Sequence, residues 1–306
     1  MVGERRQNHR KLKRAIVYYL QLFINGIVAG GVYALFAVGL TMVYSVFRFI
    51  NFAHGELIAW GAYGVLLFAS PPFSLPLWLS VFPAILLVIA IALLQNHMVF
   101  APLRNSQPVT LLIASIGLSF LLRSGLQLYF GSDLHSYQTS FYESIDLGGL
   151  MISYVQLAML CLSILFFVIL HLLLSKTLTG KSMRAVSDSM ELAGIYGIPT
   201  RKVSVFVWII SAVFAASGGF LLALDTSLDP MMGLTFMIKS FAAVLLGGVG
   251  NVWGALLGGL CIGIIENMGT AFISPGYKDL TAFVLIIVIL LFRPQGILGS
   301  TIRGVR

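Results

Sequence analysis

Charge is the scarcest commodity in this chain. Only 10% of its 306 residues are Asp, Glu, Lys or Arg, while 58% are hydrophobic. Soluble domains carry roughly 25% charged residues, so this composition leaves too little polar surface to cover a globule in water. Cysteine is nearly absent too. Cys161 and Cys261 stand far apart, each within an apolar run. They form no CxxC metal or redox motif and are expected to pack as small hydrophobes. The usual nucleotide and hydrolase signatures are also missing. Gly180-Lys181-Ser182 resembles the end of a P-loop, but Ser175 stands where its first glycine belongs, and an apolar helical run precedes it instead of a strand. There is no G-x-S-x-G elbow and no HExxH pair. His54-Gly55-Glu56 matches half of a zinc-deaminase signature whose P-C-x-x-C partner is lacking. The expectation is a chain without enzymatic activity, metal site or cofactor, and with no ATPase site of its own.

What the chain has in abundance is apolar length. Hydrophobic segments fall at about 16–47, 55–70, 77–100, 108–130, 151–175, 203–224, 238–268 and 279–292. Most approach the roughly 20 residues a helix needs to cross a bilayer, and none shows the short alternating pattern of a membrane barrel. The expected fold is therefore all-α: a polytopic transmembrane bundle of about 8–10 segments, some discontinuous or re-entrant, embedded in lipid. A basic tail (1–14) would precede a membrane domain (15–299), and a short tail (300–306) would follow it. The first apolar run far exceeds the roughly 7–15 residues of a signal-peptide core, so it is read as retained.

The formal charge of +8 points to membrane orientation and not to nucleic acid. Lys176, Lys181, Arg184, Arg201 and Lys202 crowd the loop 176–202, Arg104 lies in the 101–107 turn, and Arg293, Arg303 and Arg306 lie near the end. By contrast 131–150 carries Asp133, Glu143 and Asp146, and 225–237 only Asp225 and Asp229. Basic loops stay in the cytoplasm, which puts 176–202 and the C-terminus inside and the acidic connectors outside. For that alternation 238–268 must break near Gly247-Gly248-Val249-Gly250. The run 16–47 either bends at Gly26 or Gly30-Gly31, or leaves the basic N-terminus outside against the rule; both remain open. The four-residue glycine spacings Gly26/Gly30, Gly250/Gly254/Gly258 and Gly259/Gly263 suit close helix approach in lipid.

Ionisable groups inside apolar spans mark functional positions by default. Those within spans are His97, Arg123, His171, Lys239 and Glu266, mostly near span ends. Lys239 and His171 fit snorkelling to a span end; Arg123 fits snorkelling and pathway lining equally. In INFAHGELIAWGA (50–62), Asn51 or His54 suits the cap of a helix starting at 55, and Glu56 suits its first turn. That stretch reads as the start of a helix or as part of a transport path. In the loop 176–202, Asp188 followed by Glu191 resembles a capping box. Met190, Leu192, Ala193, Ile195 and Tyr196 then make an apolar stripe, so a two- to three-turn helix is expected there, presenting a knob to a partner's groove.

Several of these segments together resemble one family. NGIVAGGVYALFAVGLTMVYSVFRFINFAHGELIAWGAY (25–63), GKSMRAVSDSMELAGIYGIPTRKV (180–203), KSFAAVLLGGVGNVWGALLGGLCIGIIEN (239–267), GYKDL (276–280) and FRPQGILG (292–299) resemble the branched-chain amino-acid ABC transporter permeases. The resemblance implies a subunit of a bacterial or archaeal cytoplasmic-membrane importer, translocating branched-chain or other neutral amino acids by alternating access. It implies two cytoplasmic ATPase subunits, a second permease subunit in a heterodimer, and an external solute-binding protein. On that reading Lys181, Arg184, Asp188, Met190, Glu191, Leu192, Ile195 and Tyr196 face the ATPase. Asn51, His54, Glu56, Arg123 and Glu266 are the candidates for the translocation path or gate. Import of urea or short amides by the same family, and an ion-coupled secondary transporter, are the alternatives.

Overall fold

The structure is a computed structural model, and it describes residues 2–137, 144–146, 149–292 and 295–298. Glu143, Arg293 and the tail 300–306 with Arg303 and Arg306 lie outside the described residues. Among the described residues the chain forms eleven α-helices. They are α1 (Val2–Phe47), α2 (Ala53–Ala69), α3 (Leu77–Gln95), α4 (Pro108–Phe130), α5 (Tyr154–Lys176), α6 (Leu178–Asp188), α7 (Met190–Ile195), α8 (Thr200–Asp225), α9 (Met232–Gly247), α10 (Val252–Gly269) and α11 (Lys278–Phe292). Two three-residue strands, β1 (Ser144–Asp146) and β2 (Met151–Ser153), pair antiparallel before α5. Six of the helices are long and apolar enough to cross a membrane, and α2 and α9 fall just short in length. The all-α multi-span architecture expected from the apolar runs is the one observed.

The bundle is built around α1 and α8. In the most apolar window of α1, 89% of residues are buried, and 78% in α8, against 22–28% in α3, α4 and α5. The last three present aliphatic and aromatic side chains outward, such as Phe82, Leu86, Phe120, Leu128 and Leu172. In water such a surface would be a liability; against lipid it costs nothing.

The first apolar run does not bend. α1 is continuous over 46 residues, roughly 69 Å at 1.5 Å per residue, more than twice a bilayer's hydrocarbon core. About 28 Å along it, Gln21 exchanges hydrogen bonds with the Met151 backbone of β2 at 2.7 and 2.9 Å. At its far end Arg48 and Ser45 meet α6. The beginning of α1 therefore lies at the β-hairpin end of the bundle, opposite α6 and α7. Of the two arrangements the sequence left open, the bend at Gly26 or Gly30-Gly31 is absent.

The break expected in 238–268 is present. α9 and α10 form a helical hairpin turned by Gly248 (φ 109°) and Gly250 (φ 85°), both in the left-handed region that favours glycine. Gly250 thus belongs to the turn, and not to the helix face shared by Gly254 and Gly258. The remaining glycines act by contact. A Cβ on Gly259 would strike the Ala34 backbone, one on Gly263 the Gly30 backbone, and one on Gly258 the Ala243 carbonyl. These positions let α10 lie directly on α1 and α9, as small residues do in membrane helix pairs.

Candidate translocation core and coupling surface

The segment after α1 is the hinge of the candidate site. Arg48 adopts a positive φ of 58°, and the chain reverses along the bundle before α2 begins. Asn51 Oδ1 accepts the Ala53 amide at 3.1 Å, and Ser115 Oγ of α4 accepts the Phe52 amide at 3.1 Å. The two side chains satisfy amides that a helix start leaves without partners. α2 begins at Ala53, not at 55, so neither expected cap holds: Phe52 occupies the N-cap position, Asn51 lies one residue before it and His54 within the first turn. The His54 ring is fully buried. It bridges the Phe36 carbonyl of α1 and Ser211 Oγ of α8, each at 3.2 Å, and so ties together the two central helices.

Glu56 and Arg123 form an ion pair between α2 and α4, with side-chain exposures of 1% and 8%. Glu56 Oε2 lies against α9, where a Cβ on Gly233 would come within 2.8 Å of it. By helical rise, Ser115 is about 10 Å and Arg123 about 22 Å along α4 from its first residue. The cluster therefore spans the middle of the bundle. Arg123 is held by a buried carboxylate and is not snorkelling.

A second charged cluster lies between α1, α9, α10 and α11. Lys239 Nζ donates to Glu266 Oε1 at 2.7 Å and sits over the rings of Tyr33 and Phe236 at 5.3 and 5.2 Å. Lys278 approaches the same carboxylate oxygen at 3.8 Å. Lys239 is only 5% exposed, so the snorkelling expected for it does not occur. Glu266 thus separates from the other four pathway candidates: Asn51, His54, Glu56 and Arg123 converge, whereas Glu266 belongs to a different cavity. Sequence reasoning missed Tyr33, Asp225 and Lys278 as its surroundings. The signal available was numerical. Two lone carboxylates and two lone permanent cations in apolar spans can only be tolerated as pairs.

The loop 176–202 folds as two helices in place of the single one expected. Thr177 Oγ1 caps α6 through the Gly180 amide at 3.0 Å, and Gly180 presses on the Leu173–Leu174 backbone. Met183 and Val186 bury one face of α6 while Lys181, Arg184 and Asp188 are exposed. Ser189, not Asp188, caps α7 by accepting the Leu192 amide at 3.3 Å. Glu191 lies in the first turn, where its charge suits the helix dipole. Ala193 is buried and Met190 half-buried, but Leu192, Ile195 and Tyr196 are 57%, 79% and 84% exposed. The stripe therefore splits into an anchor and a knob. α6 is fastened to the end of α1: Arg48 Nη2 donates to the Ser187 carbonyl at 2.5 Å, and Ser187 Oγ donates to the Ser45 carbonyl at 3.3 Å. Through these two bonds α6 is joined to the end of α1, which residues 48–52 connect to the His54–Glu56 turn.

The chain matches the family model described as branched-chain amino acid transport system / permease component over residues 22–290. It is 35% identical to the high-affinity branched-chain amino acid transport system permease protein BraD of Pseudomonas aeruginosa, over 93% of this chain and 97% of that protein. The Escherichia coli permease protein LivH is 32% identical over 94% and 98%. A probable LivH of Methanocaldococcus jannaschii is 30% identical over 89% and 90%. The chain belongs to the branched-chain amino acid transport permease family. It is accordingly a multi-pass membrane transport subunit and not an enzyme. Both charged clusters and the α6–α7 unit lie inside the matched region, so they are built into the permease body and are not appendages to it.

Proposed function

We propose that this permease is the membrane-spanning subunit of an ATP-driven importer for branched-chain or other neutral amino acids. It pairs with a second permease, two cytoplasmic ATPase subunits and an external solute-binding protein, in a bacterial or archaeal cytoplasmic membrane. The observation that carries the coupling is the exposed Leu192–Ile195–Tyr196 knob on a helix pair hydrogen-bonded to the end of the central helix. Apolar anchors on a short rigid helix suit a groove on a partner, and their attachment to α1 gives ATPase closure a mechanical path to the bundle core. Alternating access then moves Asn51, His54, Glu56 and Arg123 with α2 against α4, α8 and α9.

With α6 and α7 in the cytoplasm, the C-terminal end is cytoplasmic too. Ile297 and Leu298 donate to the Leu246 and Gly247 carbonyls at 2.7 and 3.0 Å, on the α6–α7 side. The start of α1 is then external, and its basic residues run against the positive-inside rule. An ion-coupled secondary transporter requires a titrating carboxylate at depth. Glu56 and Glu266 are deep enough, but each is held by a cation, which opposes that role. Co-purification with the ATPases and the second permease, followed by substrate-stimulated ATP hydrolysis in the presence of the binding protein, tests the proposal. Failure to associate under any condition contradicts it, and stimulation by urea or short amides instead of amino acids redirects the substrate assignment.

A further inference from the structure

The cavity beside Lys239 and Glu266 has a volume of about 240 Å³. That is smaller than the roughly 300–1,000 Å³ of sites for drug-sized ligands, so its occupant is small. Its described lining carries charges of both signs: Lys239 and Lys278 against Glu266 and Asp225. Neutral amide groups of Asn25, Gln156 and Asn267 stand among them, and Val28, Val32, Met159 and Leu222 supply an apolar wall. Glu266 is 1% exposed, and its Oε2 has no hydrogen-bond partner among the described residues. A buried carboxylate oxygen left in that state costs free energy unless something fills the need. A second cavity of about 300 Å³ shares Gln156, Asp225 and Thr226 with the first and extends to Ser136 and Ser153 at the β-hairpin end. That provides a route in from the end opposite α6 and α7.

We propose that this cavity is a transient binding site for the zwitterionic head group of a small aliphatic α-amino acid, the ammonium engaging Glu266 and the carboxylate engaging Lys239 or Lys278. A ligand with both charges and no net charge matches a lining with both charges. A bare anion meets two carboxylates, and a bare cation meets two ammonium groups. The aliphatic side chain rests on the apolar wall. The inference deepens the proposed transport function and rests on it: it supplies a contact of the permease itself with cargo, separate from the binding protein.

The test uses the complete assembly in phosphatidylcholine nanodiscs without its binding protein, with Cys161→Ala, Cys261→Ala and Thr226→Cys in this chain. The rate at which a small maleimide labels the single cysteine at the cavity mouth is measured with glycine, L-alanine, L-leucine, leucinamide or 4-methylpentanoate. A zwitterion at roughly tenfold its Kd slows labelling by about tenfold, by simple occupancy. Leucinamide and 4-methylpentanoate, each lacking one charge, leave the rate unchanged, and Lys239→Met abolishes protection by L-leucine. If Lys239→Met does not assemble, the ligand series on the Lys239 chain decides alone. No protection by any of the three amino acids, or equal protection by the singly charged analogues, overturns the proposal. So does slowing by added phosphatidylglycerol without amino acid, which would make the cavity a lipid head-group site. The same assembly is assayed with binding protein for ATP-dependent amino-acid uptake. Uptake without protection sinks the cavity alone, whereas protection without uptake sinks the transport reading and leaves the binding.

Discussion

Breaking the Glu56–Arg123 pair from one side should be far worse than removing it whole. Both side chains are almost completely buried, and Glu56 Oε2 and Arg123 Nε already lack hydrogen-bond partners among the described residues. Arg123→Met leaves a carboxylate facing Gly233 and the α2–α4 seam with its counter-charge gone; Glu56→Leu strands a guanidinium in the same place. Removing one partner of a buried pair costs about 3–5 kcal/mol, while replacing both with apolar groups of similar volume is often neutral or stabilising. Protonation of the orphaned Glu56 would cap its share of the loss, so Glu56→Leu should be the harsher single change. The double variant, Glu56→Leu with Arg123→Met, should lie within about 1 kcal/mol of the original chain, a coupling at or above the roughly 3 kcal/mol upper end for neighbouring residues. Reversible unfolding in mixed micelles gives all four free energies of the cycle. Single changes costing under about 0.5 kcal/mol each and adding in the double variant would refute the pairing and the depth assigned to this cluster.

The α1–α10 contact should not accept a side chain. Gly259→Val places a Cβ on the Ala34 backbone and should destabilise by at least about 1–3 kcal/mol, as overpacking does, whereas Gly117→Ala, with open space around it, should be neutral or slightly stabilising in the same thermal-unfolding assay. Ile195→Asp with Tyr196→Asp should abolish co-purification with the ATPase subunits while leaving the midpoint of unfolding unchanged, because both side chains are exposed. Ser189→Ala removes the cap of α7, a loss of about 1 kcal/mol, and amide exchange over residues 190–195 should quicken by about fivefold.

The apolar runs made the spans legible because a helix in lipid must be both long and continuous in hydrophobicity, and the α9–α10 break was legible because four residues hold three glycines. The continuity of α1 was not, since Gly26, Gly30 and Gly31 look the same whether they bend a helix or admit a neighbour. Only the positions of Gly259 and Gly263 across from Gly26 and Gly30, and of Ser163 across from Gly31, show that they serve contact. The polar run at 51–56 was visible at once as anomalous, yet its depth depends on the chain reversing at Arg48, a backbone conformation that arginine does not advertise. The partners of Glu56 and Glu266 lie 67 and 27 residues away, and no local period links them. In the loop 176–202 the helical stripe was readable, but the Asp188-Ser189 boundary offers two adjacent capping residues, and the fold uses the second.

The central claim is that this permease carries neutral amino acids only when ATPase closure is transmitted through α7 and α6 to the central helices. Uptake of radiolabelled leucine into proteoliposomes holding the complete assembly, with binding protein outside and ATP inside, addresses it most directly. The account expects uptake that requires both ATP and binding protein and is lost in the Ile195→Asp, Tyr196→Asp chain. Uptake that persists without ATP, or is driven by an ion gradient alone, would contradict it.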